Sequence, residues 1–305
     1  MLPCSRANRR SRGFIVVAVL WILAALSALV LIYMSFVTNT AVVVAASSDR
    51  VQAEALATAG VELAAYQLTA VRQEARPSSG TFNARLGGAR VFVTFRSEAA
   101  RIDLNAASKG LLAGLMTGLG VAPSSAADYA DRIVAWRAPS EAGEDDSETS
   151  SYRTAGMTYA PRHAPFPVAE ELWLVRGIPP AVVERMLPYV TAFSNMPSIN
   201  IADAAPQVVA ALPGMTPERL QAVLVQRSDP GVDPRALPGL VGGEAATLAA
   251  SKAYRMSVTV DFDNGRRSSA EAVILLLDEG DEPYRVLSWR NAADGSTAPQ
   301  RAPSR

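Results

Sequence analysis

The residues of this chain best placed to do chemistry are a run of carboxylates, Glu141, Glu144, Asp145, Asp146 and Glu148. Hard cations such as calcium take about six to eight oxygen ligands, and a carboxylate-rich loop supplies them. The same run also fits a solvated acidic loop that holds no ion. It lies in a long connection between helices, 138–167, which otherwise has no reason to order. Asp103, Asn105 and Asn200 precede helical segments, where short side chains accept backbone N–H groups; they read as capping and turn residues rather than catalysts. The single histidine, His163, sits between Pro161 and Pro165 with no nucleophile motif nearby and reads as a surface residue. Trp136 and Trp173 fall among helix formers and read as core. One cysteine, Cys4, excludes an intrachain disulfide framework and any multi-cysteine metal site, and one histidine excludes histidine-cluster metal chemistry. No G-x-S-x-G, H-E-x-x-H or P-loop pattern occurs. Lys+Arg and Asp+Glu balance at 29 each, which argues against coating nucleic acid by bulk charge. The chain reads as non-enzymatic.

The elements that position these residues begin with the N-terminus. Arg6, Arg9, Arg10 and Arg12 precede Gly13, and no charge follows until Asp49. Phe14 to Val37 is apolar throughout and, at ~1.5 Å per residue, spans roughly 36 Å, enough for a hydrocarbon core of about 30 Å. Cleaved signal peptides carry apolar runs of only about 7–15 residues, so the span reads as retained. The arginines place the N-terminus in the cytoplasm and the bulk of the chain on the other side. Beyond Asp49, Leu56, Gly60, Leu63, Ala64, Leu68 and Val71 recur at helical spacing among charged residues, which predicts one helix from Phe14 to Arg76, amphipathic in its second half. Pro77-Ser78-Ser79-Gly80 ends it.

Ala89 to Phe95 alternates as a strand, as do Tyr254 to Phe262 and its return, Ser269 to Leu277, across the Asp263-Asn264-Gly265 turn; Tyr284 to Trp289 adds another. Between these pieces lies a helical stretch with weak internal repeats. Ile102-Asp103-Leu104-Asn105 is echoed by Ile199-Asn200-Ile201-Ala202, each followed by an apolar helix and a glycine turn. Further turns of this kind fall at Gly177-Ile178 and, more faintly, Leu237-Pro238-Gly239-Leu240. They predict helix–hairpin–helix-like units. The fold class is therefore α+β: a long N-terminal transmembrane and amphipathic helix packed on a small antiparallel sheet, with an inserted mainly helical domain. The tail, 291–305, reads as disordered.

The basic leader ending Arg12-Gly13, followed by Phe14 opening an uninterrupted apolar helix, resembles type IV pilin-like proteins. The resemblance implies that a prepilin peptidase cuts after Gly13 and methylates the new N-terminus, Phe14. Cys4 would leave with the leader. Most relatives carry glutamate at the fifth mature position, where this chain has Ala18; an ionised carboxylate in lipid needs a partner, so alanine suits a subunit at the tip with none beyond it. The repeats, the Glu170-Glu171-Leu172 to Gly177-Ile178 turn and Ala18 together resemble the K-type minor pseudopilin of type II secretion, the GspK family. That implies an inner-membrane, single-pass protein with a periplasmic bulk, one that caps and initiates the pseudopilus driving export across the outer membrane. The implied partners are other minor pseudopilins of the I and J types, with the H type a further candidate, together with prepilin peptidase and inner-membrane lipid, and no nucleic acid. No cofactor is required, and calcium is the one candidate; relatives bear a Gly-Ala-Glu-Asp motif, whose end Glu144-Asp145 match. The resulting division is leader 1–13, pilin-like helix and first strands 14–100, inserted helical domain 101–196, a second hairpin unit and return to the sheet 197–290, then the tail. A membrane-anchored helix–hairpin–helix DNA receptor is the alternative. Pro179-Pro180 and Thr216-Pro217 after the turns weaken it, since proline offers no N–H to a phosphate.

Overall fold

The computed structural model describes residues 11–139, 147–229, 231, 233–241, 245–280 and 282–291, with side chains except at 11–15, 37–48, 74 and 240. The chain divides into two compact units, residues 1–55 and 56–305. The first helix, α1, runs Ser11–Thr69 without a break at Gly13 or Phe14. Within the first unit its window Val16–Phe36, of mean hydropathy 2.7, is long and apolar enough to cross a membrane, and none of it is buried.

In the second unit the same helix buries Ala57, Gly60, Val61, Ala64, Ala65 and Leu68. The stripe is rotated from the expected one, because Leu56 is only half-buried and Leu63 faces out. Small residues face the sheet because they let the backbones approach closely. A Cβ placed on Gly60 would lie 2.8 Å from Val91 Cγ1 and 3.1 Å from Val93 Cγ2. The helix stops at Thr69, short of the expected Arg76. That arginine folds back instead, and its Nε donates to the carbonyls of Leu68 (3.0 Å) and Val71 (3.1 Å), capping the C-terminus.

Strand β1 (Ser79–Leu86) and strand β2 (Ala89–Ser97) follow, joined by Gly87 and Gly88, both at positive φ as a two-residue hairpin requires. The sequence pattern left β1 unassigned. It is a sheet edge whose inward residues, Phe82, Ala84 and Leu86, are only half-buried, so its alternation is shallow. The inserted region then supplies β3 (Ile102–Asp103), α2 (Lys109–Gly118), α3 (Pro123–Arg137), α4 (Ser147–Thr154) and α5 (Pro180–Met186). It continues through β4 (Val190–Thr191), β5 (Ile199–Asn200), α6 (Pro206–Ala210), α7 (Pro217–Ser228), α8 (Leu237–Val241) and β6 (Ala246–Thr247). Strands β7 (Ala253–Phe262), β8 (Arg267–Leu276) and β9 (Tyr284–Asn291) complete one antiparallel sheet of order β1-β2-β7-β8-β9. The α+β class is as expected.

The repeats have a structural counterpart. Ile102-Asp103 pairs in parallel with Val190-Thr191, and Ile199-Asn200 pairs in parallel with Ala246-Thr247. One cluster of buried side chains runs from Ile102 to Val241 and draws on both stretches. Gly120, Gly177 and Gly214 take positive φ at the turns before α3, α5 and α7. Two expectations need correction. Leu237-Pro238-Gly239-Leu240 lies inside α8 rather than between helices, with Pro238 tolerated in its first turn. Ala169–Leu174, ahead of the Gly177 turn, is a 3-10 turn. At three residues per turn it buries Leu172 and leaves Trp173 46% exposed, so Trp173 is not core. Trp136 is core, with ring centroids 5.9 Å from Tyr152 and 6.2 Å from Phe166.

Helices α2 and α6 approach so closely that a Cβ on Gly114 would sit 2.4 Å from the Ala211 carbonyl oxygen, an atom of the backbone. Gly114→Ala is therefore expected to lower stability by about 1–3 kcal/mol despite its better helix propensity. Gly118→Ala, at the open end of the same helix, should leave stability unchanged or higher. Thermal unfolding of the detergent-solubilised chain distinguishes the two; equal melting temperatures would contradict the close approach.

Candidate functional site

Four parts of the molecule carry the residues singled out above. The first is the place where the inserted region leaves and rejoins the sheet. Strands β2 and β7 are neighbours, with Ser97 opposite Tyr254, so residues 98–252 interrupt a single ladder. Ser97 and Ser251 close the gap. Their hydroxyls lie 3.0 Å apart, and Ser97 Oγ also accepts from the amides of Ser251 (2.8 Å) and Ala99 (3.2 Å).

Beside them, the fully buried Glu98 ties the insert to the sheet. Arg255 of β7 donates from Nε to its Oε1 (2.8 Å) and from Nη2 to its Oε2 (3.2 Å), while the Thr191 hydroxyl of β4 donates to Oε2. Arg255 Nη1 donates to Glu271 of β8 at 2.5 Å. Burial alone pushes the Arg255 guanidinium down, but the Glu98 and Glu271 carboxylates outweigh it and hold it above the ordinary arginine value. None of these partners is close in sequence, and composition gave no sign of them.

The second part comprises the polar residues of the repeats. Asp103 Oδ1 accepts from the amides of Asn105 (2.7 Å) and Ala106 (3.2 Å), as a turn residue should. Its Oδ2 reaches much further, to Ser194 Oγ (2.9 Å) and the Asn195 amide (2.6 Å). Asn105 Nδ2 donates to the carbonyls of Phe166 and Ala192, and its Oδ1 accepts from the Phe166 amide at 2.7 Å. Asn200 Oδ1 accepts from the Ala202 amide, and its Nδ2 donates to the Leu248 carbonyl at 2.9 Å. They staple distant backbone as well as capping their own turns.

The third part is the acidic run. Glu141, Glu144, Asp145 and Asp146 lie outside the described residues; Glu148 stands in the first turn of α4. Among the described residues no three acids, histidines or cysteines converge. His163 is not the surface residue expected. It is half-buried; its Nδ1 meets the Ala138 carbonyl and its Nε2 meets Thr149 Oγ1, each at 3.1 Å. It thus clamps the chain on both sides of the acidic run.

The fourth part is an apolar helix face. In the second unit, Leu63 and Tyr66 of α1 point away from the sheet, Tyr66 with 72% of its surface exposed. Of the residues expected to belong to a leader and an anchor, Gly13 and Phe14 lie within α1, and Ala18 is half-exposed near the start of the apolar window.

The described residues thus combine an N-terminal helix long and apolar enough to cross a membrane, an antiparallel sheet and a helical insertion between neighbouring strands. Residues 94–195, from the end of β2 through β4, match the family described as type II secretion system (T2SS), protein K. The fold is similar to a chain of the crystallised GspK-GspI-GspJ complex from the enterotoxigenic Escherichia coli type 2 secretion system, at 18% identity and a TM-score of 0.56. That alignment covers 81% of this chain and 98% of the other. A search of the curated proteins finds no match. The expected resemblance to the K-type minor pseudopilin is met on both sequence and fold.

Breaking a buried ion pair from one side leaves the other charge uncompensated, at about 3–5 kcal/mol. Arg255 would keep Glu271, so Glu98→Gln is expected near the low end, about 3 kcal/mol, read from denaturant unfolding. A loss under about 0.5 kcal/mol, the scale of an ordinary surface change, would mean that this carboxylate does not hold the insert to the sheet.

Proposed function

We propose that the chain is a minor pseudopilin that sits at the tip of a type II secretion pseudopilus and starts its assembly. The observation that carries the reading is the protein K match over the inserted region of a fold that begins with a membrane-length helix. On this reading prepilin peptidase removes residues 1–13 in the inner membrane and methylates Phe14. The N-terminus remains cytoplasmic, and the strands and the insert, 101–196 with the second hairpin unit and return to the sheet, 197–290, lie in the periplasm. The contribution is positional rather than chemical. Burying the apolar helix in lipid, and Leu63 and Tyr66 between subunits, supplies the free energy, and no bond is made or broken. I- and J-type pseudopilins, named in the related complex, are the partners for that face. Ala18 offers no carboxylate to a following subunit, so it ends the charge-pairing chain.

Membrane-extracted protein should begin with methylated Phe14 on N-terminal sequencing; an intact Met1 would sink the leader assignment. Tyr66→Glu is expected to abolish co-purification with the I- and J-type partners while leaving the fold intact, because the ring is exposed. Retained co-purification would exclude this face. Calcium is a further proposal, supported by the acidic run 141–148 and by the His163 clamp on its flanks. If it binds there, added calcium raises the melting temperature over a chelator control, and Asp145→Asn with Asp146→Asn removes the gain. A gain that survives both changes would place the ion elsewhere.

A further inference from the structure

A cavity of about 360 Å3 opens where the outer face of the sheet meets the insert. Its lining includes Arg96 of β2, Arg101 just before β3 and Arg255 of β7, the carboxylates Glu98 and Glu271, and the apolar groups of Tyr189, Ala205 and Val208. A second cavity of about 280 Å3 shares Arg101 and Arg255 and adds Arg290. The nearby carboxylates are engaged. Glu98 is held by Arg255 and Thr191, Glu271 by Arg255, and Glu170 by Arg290. The guanidiniums of Arg96 and Arg101 make no direct hydrogen bond or ion pair among the described residues, although Arg101 is half-buried and feels the charges of Glu98 and Glu271.

Arg96, Arg101 and Arg255 against Glu98 and Glu271 leave the cavity with an excess of positive charge. Burial depresses the Arg101 guanidinium, and the charge of Arg255 depresses it further, only partly offset by Glu98 and Glu271. A charge held this way is costly unless something pairs with it. Tyr189, Ala205 and Val208 also line the cavity, and a bare inorganic ion would leave them uncovered. A carboxylate on an aliphatic stem satisfies both kinds of group, and the planar guanidinium fork matches a carboxylate in two parallel hydrogen bonds.

We propose that this cavity is a docking site for an acidic side chain of a partner polypeptide, its carboxylate received by Arg101 and Arg96 and its aliphatic stem by Tyr189 and Val208. The site lies away from the exposed face of α1, and the proposal does not depend on the pseudopilus reading. Arg101 retains its charge at a cost in stability because it binds in trans what the chain does not supply in cis.

The test uses the full chain in detergent and a capped Leu-Glu-Glu-Leu peptide, with the Gln-Gln counterpart and inorganic phosphate as comparisons, by calorimetry at low and high salt. The Glu peptide should bind and weaken with salt, and the Gln peptide should not bind. Arg101→Gln should weaken binding about tenfold or more while leaving the melting temperature unchanged or higher. Arg96→Gln, an exposed change that does not threaten the fold, should also weaken it, whereas Arg85→Gln, at the hairpin pair with Asp263, should not. Absence of Glu-peptide binding, or binding untouched by both the Arg101 and Arg96 changes, overturns the proposal. Phosphate binding as tightly as the peptide would overturn it too, assigning the arginines to a small oxyanion. No pseudopilin partner is present in the assay, so its failure is separable from failure of the assembly reading.

Discussion

A β-ladder can tolerate a long insertion only if the two strands at the breach stay in register. In this protein β2 and β7 remain hydrogen-bonded neighbours although residues 98–252 separate them. The register is kept at the point of departure by short, buried polar contacts: Ser97 against Ser251, then Glu98 against Arg255. Because Glu98 is fully buried, its charge must be met, and the residues that meet it, Arg255 of β7 and Thr191 of β4, belong to two different elements. The charge is thus a specificity device. It allows one placement of the insert on the sheet and penalises the rest.

The same region explains why an electropositive cavity persists there. Arg255 is shared by two carboxylates, and Arg96 and Arg101 add two further positive charges to the same lining. Neighbouring positions thus differ in what they meet: Glu98 closes the breach, and Arg96 and Arg101 on either side of it line the cavity. The helix α1 shows a comparable division. Its first part is apolar all round, while its second part has one face of small residues packed on the sheet and another bearing Leu63 and Tyr66.

Much of this organisation was legible in the residues. The apolar run, the strand alternation of β2, β7 and β8, the Asp263-Asn264-Gly265 turn and the paired Ile-Asp and Ile-Asn motifs all depend on local periodicity or local turn chemistry. Where legibility failed, a long-range contact had overridden local preference. The sheet buries Gly60 and Ala64 rather than Leu63 because close approach favours small side chains. Trp173 faces out because a 3-10 turn leads to α5, and His163 is held between Ala138 and Thr149. Edge strand β1 escaped because a half-buried strand alternates only weakly.

By itself the sequence determined the membrane-length helix, the α+β class and the order of the main elements, since each follows from hydrophobic period and from where glycine and proline interrupt it. Only the tertiary structure decided which polar residues meet. Glu98 with Arg255 and Asp103 with Ser194 are separations of many residues in the chain, and no periodicity encodes them. Burial converts such groups from solvated side chains into charges that must find a partner, and where that partner lies depends on how the whole domain closes.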